Sequence, residues 1–393
     1  MIIILQLLFW LCVVGVFHSY VLFPFILGQL AEGKKQNDII FSNQSDLPHV
    51  HILFSVYNGE RLIHQKMMSM LDCNYPSNKV HFWIGSDAST DKTNELLSSF
   101  ASKFSNIHFY ALNKRQGKGP VINFLFEELD AKCKTDDVIL LTDASVIFNA
   151  NTILNMVRHF LNPVIGLVGA NILNGSVLND GISYLEKAYF EREITMKHQE
   201  GLVWGASMGA FGACYAIRKK LFSPIPNYFL VDDFYISMKV IEKGYKAIYE
   251  MDATCFLDVP NDTFTELNRK IRITAGNFQN LKVFSSLLYK WNGISFSFFS
   301  HKVLRWYTPF FILISFFSAF CLIQYHEFYR YIFAFQLLIF FTPLINYSFQ
   351  KVGLNVKTLK FVAHFYSMNF GVLLGYIKYI KGVKSNTWQP TQR

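Results

Sequence analysis

"VILLTDASVIF" occupies Val138 to Phe148, and its reading decides the fold. Four apolar residues run together, a polar Thr-Asp-Ala-Ser break follows, and apolar character then resumes. A short unbroken apolar run is how a strand buried on both faces of a parallel sheet reads. Open α/β sheets bind ligands in the loops at the carboxyl ends of such strands. Asp143 therefore has two readings, a carboxylate that holds a metal at a strand end or a residue that forms a turn. One Asp in a turn does not choose between them, so the flanking sequence must.

Upstream, two patterns alternate. "VHILFSVYN" reads as a strand and "GERLIHQKMMSML" as a helix. "VHFWIGSD" is a strand and "DKTNELLSSFASKF" a helix; "NIHFYALN" is a strand and "KGPVINFLFEELDAK" a helix. Such alternation argues for an α/β fold, a mostly parallel sheet flanked by helices.

Further out, the chain stops looking soluble. Hydrophobic residues make up 51% of the 393 and aromatics 17%, with a mean hydropathy of +0.22, which points to membrane segments. The net charge of +9 rests on only 17% charged residues. No nucleic-acid-binding signature accompanies it, so nucleic acid is not expected as a partner. A basic face against anionic membrane lipid fits better. The six cysteines form no C-x-x-C pair, which suggests neither a zinc site nor a disulfide framework and fits a reducing compartment.

The first 27 residues are apolar, lack a basic start and a small-residue cleavage site, and exceed a signal-peptide core. They read as a retained anchor, with a secretory signal as the alternative. Three more apolar runs lie at 308–325, 331–349 and 361–377, the last interrupted by His364, Ser367 and Asn369. Before them, "FSSLLYKWNGISFSFFSHKVLRW" mixes aromatic and basic residues as an interfacial segment does. The expected organisation is an anchor at 1–27, an α/β domain at 46–281, an interfacial amphipathic segment at 282–306 and transmembrane helices at 307–380. Lys34 and Lys35 after the anchor put the α/β domain in the cytoplasm. A full third C-terminal crossing would place Lys378, Lys381 and Lys384 outside, against the same rule.

Several polar stretches carry candidate chemistry. In "GSDASTDKT", Ser89, Thr90 or Asp91 can cap the next helix, while Asp87 at the strand end can meet a base or ribose. "NKRQGKGPVINF" offers Gly117 and Gly119 for close backbone approach and Lys114, Arg115 and Lys118 for phosphate, without P-loop order. In "FLVDDFYISMKVIEKGYKAIY", Asp232 and Asp233 start a helix, where the dipole favours ionised carboxylates and one of them can serve as a general base. Between these, "WGASMGAFGACYAIRKKLF" is rich in small residues, including Gly209 and Gly212.

In order, "SVYNGE", "SDASTD", "QGKG", "TDAS", "GAFGACYAIR", "VDDF" and "RKIRITAGNFQ" resemble the motifs of a membrane-bound family 2 glycosyltransferase with the GT-A fold. The resemblance covers roughly residues 50–281. It implies a nucleotide-sugar-binding domain with Asp233 as catalytic base and Asp143 as ligand of Mg2+ or Mn2+. It implies donor-binding roles for Tyr57, Glu60, Asp87, Lys118 and Arg272, and acceptor-binding or supporting roles for Asp232, Gly209, Gly212 and Ser145. Two departures stand out. Ser145 replaces the last acid of the family's D-x-D turn, and Arg269 and Ile273 replace the Gln and Trp of its Q-x-x-R-W motif.

The resulting expectation is an inverting transferase in the cell (inner) membrane, multi-pass, with its catalytic domain cytoplasmic. It would move a sugar from a nucleotide-diphosphate sugar to a lipid-linked or saccharide acceptor in cell-envelope glycan or polysaccharide synthesis. A processive polysaccharide synthase is the alternative within enzymes. A catalytically silent sugar-nucleotide-binding scaffold is the alternative outside them, and Ser145 is its best support.

Overall fold

The apolar runs around the opening stretch form strands where they are expected. β1 (Val50–Val56), β2 (Val80–Asp87), β3 (Ile107–Leu112) and β4 (Val138–Thr142) alternate with α1 (Glu60–Leu71), α2 (Thr93–Lys103) and α3 (Lys118–Asp130). All four strands run parallel, with Val50 opposite both Val80 and Val138. Ile52, Phe54, Ile139 and Leu140 are fully buried. The run at 138–142 is continuous because both faces of its strand are covered. The computed structural model describes residues 1–174, 182–258, 263–354 and 356–387.

Downstream the chain adds β5 (Ile147–Phe148), α4 (Thr152–Val157), β6 (Ile165–Asn174), α5 (Ile182–Trp204), β7 (Cys214–Arg218), α6 (Asp232–Glu242) and β8 (Lys246–Leu257). The sheet order is β3-β2-β1-β4-β7-β6-β8-β5. β7 runs against both β4 and β6, and β5 runs against β8. The sheet is therefore mixed, and the reversal at β7 has a local consequence. It presents the Ala213 carbonyl to the Asp143 N–H at 3.1 Å, which holds the residue just past β4.

The chain divides into two units. One comprises 27–261 and 383–393, the other 1–26 and 262–382. Helix Ile2–Ala31, most of which belongs to the second unit, and helix Gly293–Leu322, all of which does, are long and apolar enough to cross a membrane. The pair Glu327–Phe340 and Thr342–Lys351, bent by 44°, gives a third span if it acts as one. Helix Thr263–Phe284, part of which the sequence placed in the α/β domain, packs in this unit against helix Lys357–Ile380. Phe278 lies edge-on to Tyr376 and stacks on Tyr379. Much of the segment expected to be interfacial, 282–306, continues into the helix Gly293–Leu322.

Within the α/β unit a buried acid ties β8 to the chain before β6. Glu250 accepts from Arg158 Nη2 at 3.1 Å and the Asp252 N–H at 2.9 Å, and pairs with His159 Nε2 at 2.5 Å. Burial opposes its ionisation, but these partners outweigh burial and hold its pKa at about 2. The folded pKa lies below the ordinary value, so the contribution to stability is present above about pH 4.5 and lost as pH falls toward 2. Glu250→Gln is expected to melt several degrees below wild type at pH 7. That gap should close as both are measured at falling pH between 5 and 3; an equal gap at every pH would show that the charge contributes nothing.

Candidate active site

The carboxyl ends of β1, β2 and β4 open on one cleft, lined among others by Tyr57, Asp87, Arg115, Gly117, Lys118, Asp143 and Ser145. Two sequence motifs interlock to form its rim. Asn58, at the end of β1 with φ +49°, accepts the Thr90 N–H through Oδ1 at 2.8 Å. Thr93 Oγ1 accepts the Gly59 N–H at 2.8 Å, and Asp91 caps the start of α2 by accepting the Thr93 N–H at 3.0 Å. Glu60 belongs to this lock: its N–H donates to Asp91, and its carboxylate accepts the Lys92 N–H, both at 3.1 Å.

Asp87 is 4% exposed, and both of its oxygens are engaged. It accepts the Gln116 N–H at 2.7 Å and the Gly117 N–H at 2.8 Å. The carboxylate therefore shapes the loop before α3, a task that residue spacing alone does not reveal. Beside it the Arg115 guanidinium lies 3.7 Å from the centre of the Tyr57 ring, a cation–π contact that stiffens the same wall. From the outer side, Asn386 of the chain's last described stretch packs on Gly117. A Cβ there would stand 2.8 Å from the Asn386 carbonyl oxygen, and φ is +90°.

Deeper in, acids from separate elements converge. Lys118 Nζ, at the first turn of α3, lies 2.8 Å from Asp143 Oδ1 and 3.3 Å from Asp232 Oδ2. Burial works against the ammonium, but Asp143, Asp232 and Asp233 outweigh it and raise its pKa. The Asp143 side chain is 38% exposed and that of Asp232 is 13%, so Asp143 is the acid open to a ligand. Ser145 lies on the same turn.

Asp233 sits over Gly212, where a Cβ would come within 2.5 Å of Oδ2. Its other oxygen accepts the Phe234 N–H at 2.8 Å. Gly209, with φ +79°, makes room for the Phe234 ring. The small residues of the "GASMGAFGA" stretch thus let the start of α6 approach the sheet. The expectation that a helix start keeps Asp233 readily ionised meets a stronger effect. Burial, and then the neighbouring Asp232, raise its pKa to about 6 against the pull of Lys118. Arg272 belongs to the other unit, on helix Thr263–Phe284.

A second group of metal-type ligands, His51, Cys133 and Asp137, lies toward the opposite end of β1. Six residues of strand at about 3.3 Å each separate His51 from Tyr57. Its polar atoms are mutually engaged: His51 bonds Asp137 at 3.1 Å through Nε2, and Trp83 Nε1 donates to His51 Nδ1 at 3.2 Å.

The family model described as "Glycosyl transferase family 2" matches residues 52–225. Among curated proteins, the probable glycosyltransferase YdaM of Bacillus subtilis (strain 168) is 25% identical over 223 residues, 52% of this chain and 49% of that one. The poly-beta-1,6-N-acetyl-D-glucosamine synthase of Staphylococcus aureus (strain COL) is 23% identical over 246 residues, 61% of this chain and 57% of that one. The chain thus spans about half the length of the curated relatives it matches. Among solved structures, the mannosyltransferase PcManGT from Pyrobaculum calidifontis, in complex with GDP-Man and Mn2+, aligns with a TM-score of 0.71. The alignment covers 96% of this chain and 99% of that one at 16% identity, and it shows a shared GT-A fold.

Gly117→Ala tests the loop. At that backbone conformation a side chain costs about 1–3 kcal/mol, and it also meets Asn386. The variant should melt a few degrees lower and lose the tail contact, so trypsin should cut at exposed Lys384 faster than in wild type. Unchanged cleavage would mean that the tail does not pack on Gly117.

Proposed function

Given a family 2 glycosyltransferase domain at residues 52–225, we propose that this protein is a membrane-bound inverting glycosyltransferase. It moves a sugar from a nucleotide-diphosphate donor to a hydroxyl of a lipid-linked or saccharide acceptor on the cytoplasmic face of the cell membrane. The observation that carries this reading is the meeting of Asp143, Asp232 and Asp233 around Lys118 at the carboxyl end of the sheet.

Each residue then has a task. Tyr57 and Arg115 form the wall for the nucleoside, with the loop pinned by Asp87, and Glu60 locks the rim. Lys118 supplies positive charge to the diphosphate. Asp233 accepts the acceptor hydroxyl's proton as that oxygen bonds to the anomeric carbon. The bond from that carbon to the diphosphate breaks on the opposite side, and nucleoside diphosphate leaves with the bonding electrons. One displacement inverts the anomeric centre. Asp232 orients Lys118, and Gly209 and Gly212 leave the space in which Asp233 faces an acceptor. Arg272 is assigned to the diphosphate and acceptor channel on the family resemblance.

The Asp143 carboxylate and the Ser145 hydroxyl line the cleft, and an all-oxygen donor set suits Mg2+ or Mn2+, which take one or two carboxylates together with phosphate oxygens and water. Bound by Asp143 with Ser145 alongside, the cation would offset charge on the leaving diphosphate. The similarity to a polysaccharide synthase favours polymer synthesis as a second reading, and the chain length of the product separates the two.

The decisive variant is Asp233→Asn, which keeps shape but removes the base. It should lower single-turnover transfer by about 10²–10⁴-fold with donor affinity retained, and Asp232→Asn should lose less. In wild type, turnover should rise with pH through about 6 and level off above it, because the base must be ionised. Near-normal transfer by Asp233→Asn with donor bound would exclude the mechanism, and full activity in a chelator would remove the cation from it.

A further inference from the structure

Lys66 is fully buried, and the reaction outlined above gives it no task. It occupies an inward position of α1 with Ile63, Met67 and Met70, where an apolar residue would be ordinary. Burying an ammonium is costly unless it is compensated, and here the compensation points one way. Nζ donates to Thr142 Oγ1 at 3.0 Å and to the Val146 carbonyl at 2.7 Å, and it lies 4.2 Å from the centre of the Phe148 ring. Both hydrogen-bond partners are neutral oxygens, and they bracket the turn that carries Asp143 and Ser145.

The turn has other ties as well, including the Lys118–Asp143 pair described above. The Asp143 N–H reaches Ala213 O at 3.1 Å, the Val146 N–H reaches Asp143 O at 3.2 Å, and Thr142 Oγ1 donates to Ala213 O at 2.8 Å. Lys66 therefore joins the two ends of a five-residue segment whose middle faces the cleft. Burial lowers its pKa to about 8, and Asp143 is among the groups whose charge pulls the other way. At neutral pH the group is still mostly an ammonium.

We propose that Lys66 is a positioning residue whose buried ammonium fixes the Asp143–Ser145 turn, and with it the seat for the divalent cation and the donor's diphosphate. The cation part rests on the function proposed above; the ordering of the turn does not. A lysine serving only the packing of α1 would be replaceable by methionine, similar in length and apolar, at no cost to the turn.

The test uses the full-length protein in detergent and Lys66→Met, with Thr142→Val as a milder variant that keeps the lysine. Mn2+ alone is the probe, followed by the electron paramagnetic resonance signal of the free ion. Supporting groups behind metal ligands typically change affinity by about 10–100-fold, so Lys66→Met should weaken Mn2+ by at least about 10-fold, and Thr142→Val by less. In parallel, hydrogen exchange should quicken in a peptide covering 138–148 while peptides from β2 and β3 keep wild-type rates. A folded Lys66→Met with wild-type exchange at 138–148 overturns the proposal, as does wild-type Mn2+ affinity. If Lys66→Met does not fold, the same two readings on Thr142→Val decide. A wild-type protein that binds no Mn2+ would refute the metal seat alone, and the exchange measurement would still judge the turn.

Discussion

Everything at the cleft depends on holding three carboxylates close together around one ammonium. Like charges this near repel strongly in a partly buried setting, so the cluster persists only if the backbone fixes its members independently. The fold does so with five separate elements. β4 and the antiparallel β7 hold Asp143, α6 brings Asp232 and Asp233, α3 brings Lys118, and α1 reaches beneath with Lys66. The glycines at 117 and 212 serve the same end, since each stands where a Cβ would collide with a neighbour. The raised pKa of Asp233 records first its burial and then the repulsion by Asp232 that this framework withstands.

Half of the sheet is legible in the chain because its strands are buried on both faces and separated by amphipathic helices. β1 to β4 and α1 to α3 follow from apolar runs and period alone. β7 does not, because its direction is set by pairing between β4 and β6, a tertiary choice that local propensity does not encode. The same limit applies to the site. Asp143, Lys118 and the acidic pair stand out as polar residues at element ends. The engagement of Asp87 with backbone amides is invisible to spacing, since it depends on a loop about thirty residues away closing over β2. Lys66 did leave a signal: a lysine at an inward position among Ile63, Met67 and Met70 breaks the pattern that defines its helix. A charge on an apolar stripe asks what it is bonded to, and only the structure answers.

The expectation for Asp233 shows how competing effects are decided. A helix start favours an ionised carboxylate by up to about 2 kcal/mol in partly buried geometry. Desolvation and an adjacent acid oppose it, and together they win. Sequence identifies the helix start and the adjacent Asp, but not the depth at which the pair sits, and depth decides the sign.

The positive charge of the chain is also unevenly placed. The unit made of 1–26 and 262–382 holds thirteen Lys and Arg against three Asp and Glu, a formal +10, which leaves the α/β unit at −1. The chain's +9 is therefore a property of the part that carries the candidate membrane spans. A near-neutral α/β unit cannot attract an anionic donor by its overall field. In the reaction proposed above, attraction would be local, from Arg115 and Lys118 within the cleft, and Lys118 is already shared by Asp143 and Asp232. In that reaction a divalent cation on Asp143 would add the positive charge that the proposed donor's phosphates need and that the unit as a whole does not supply.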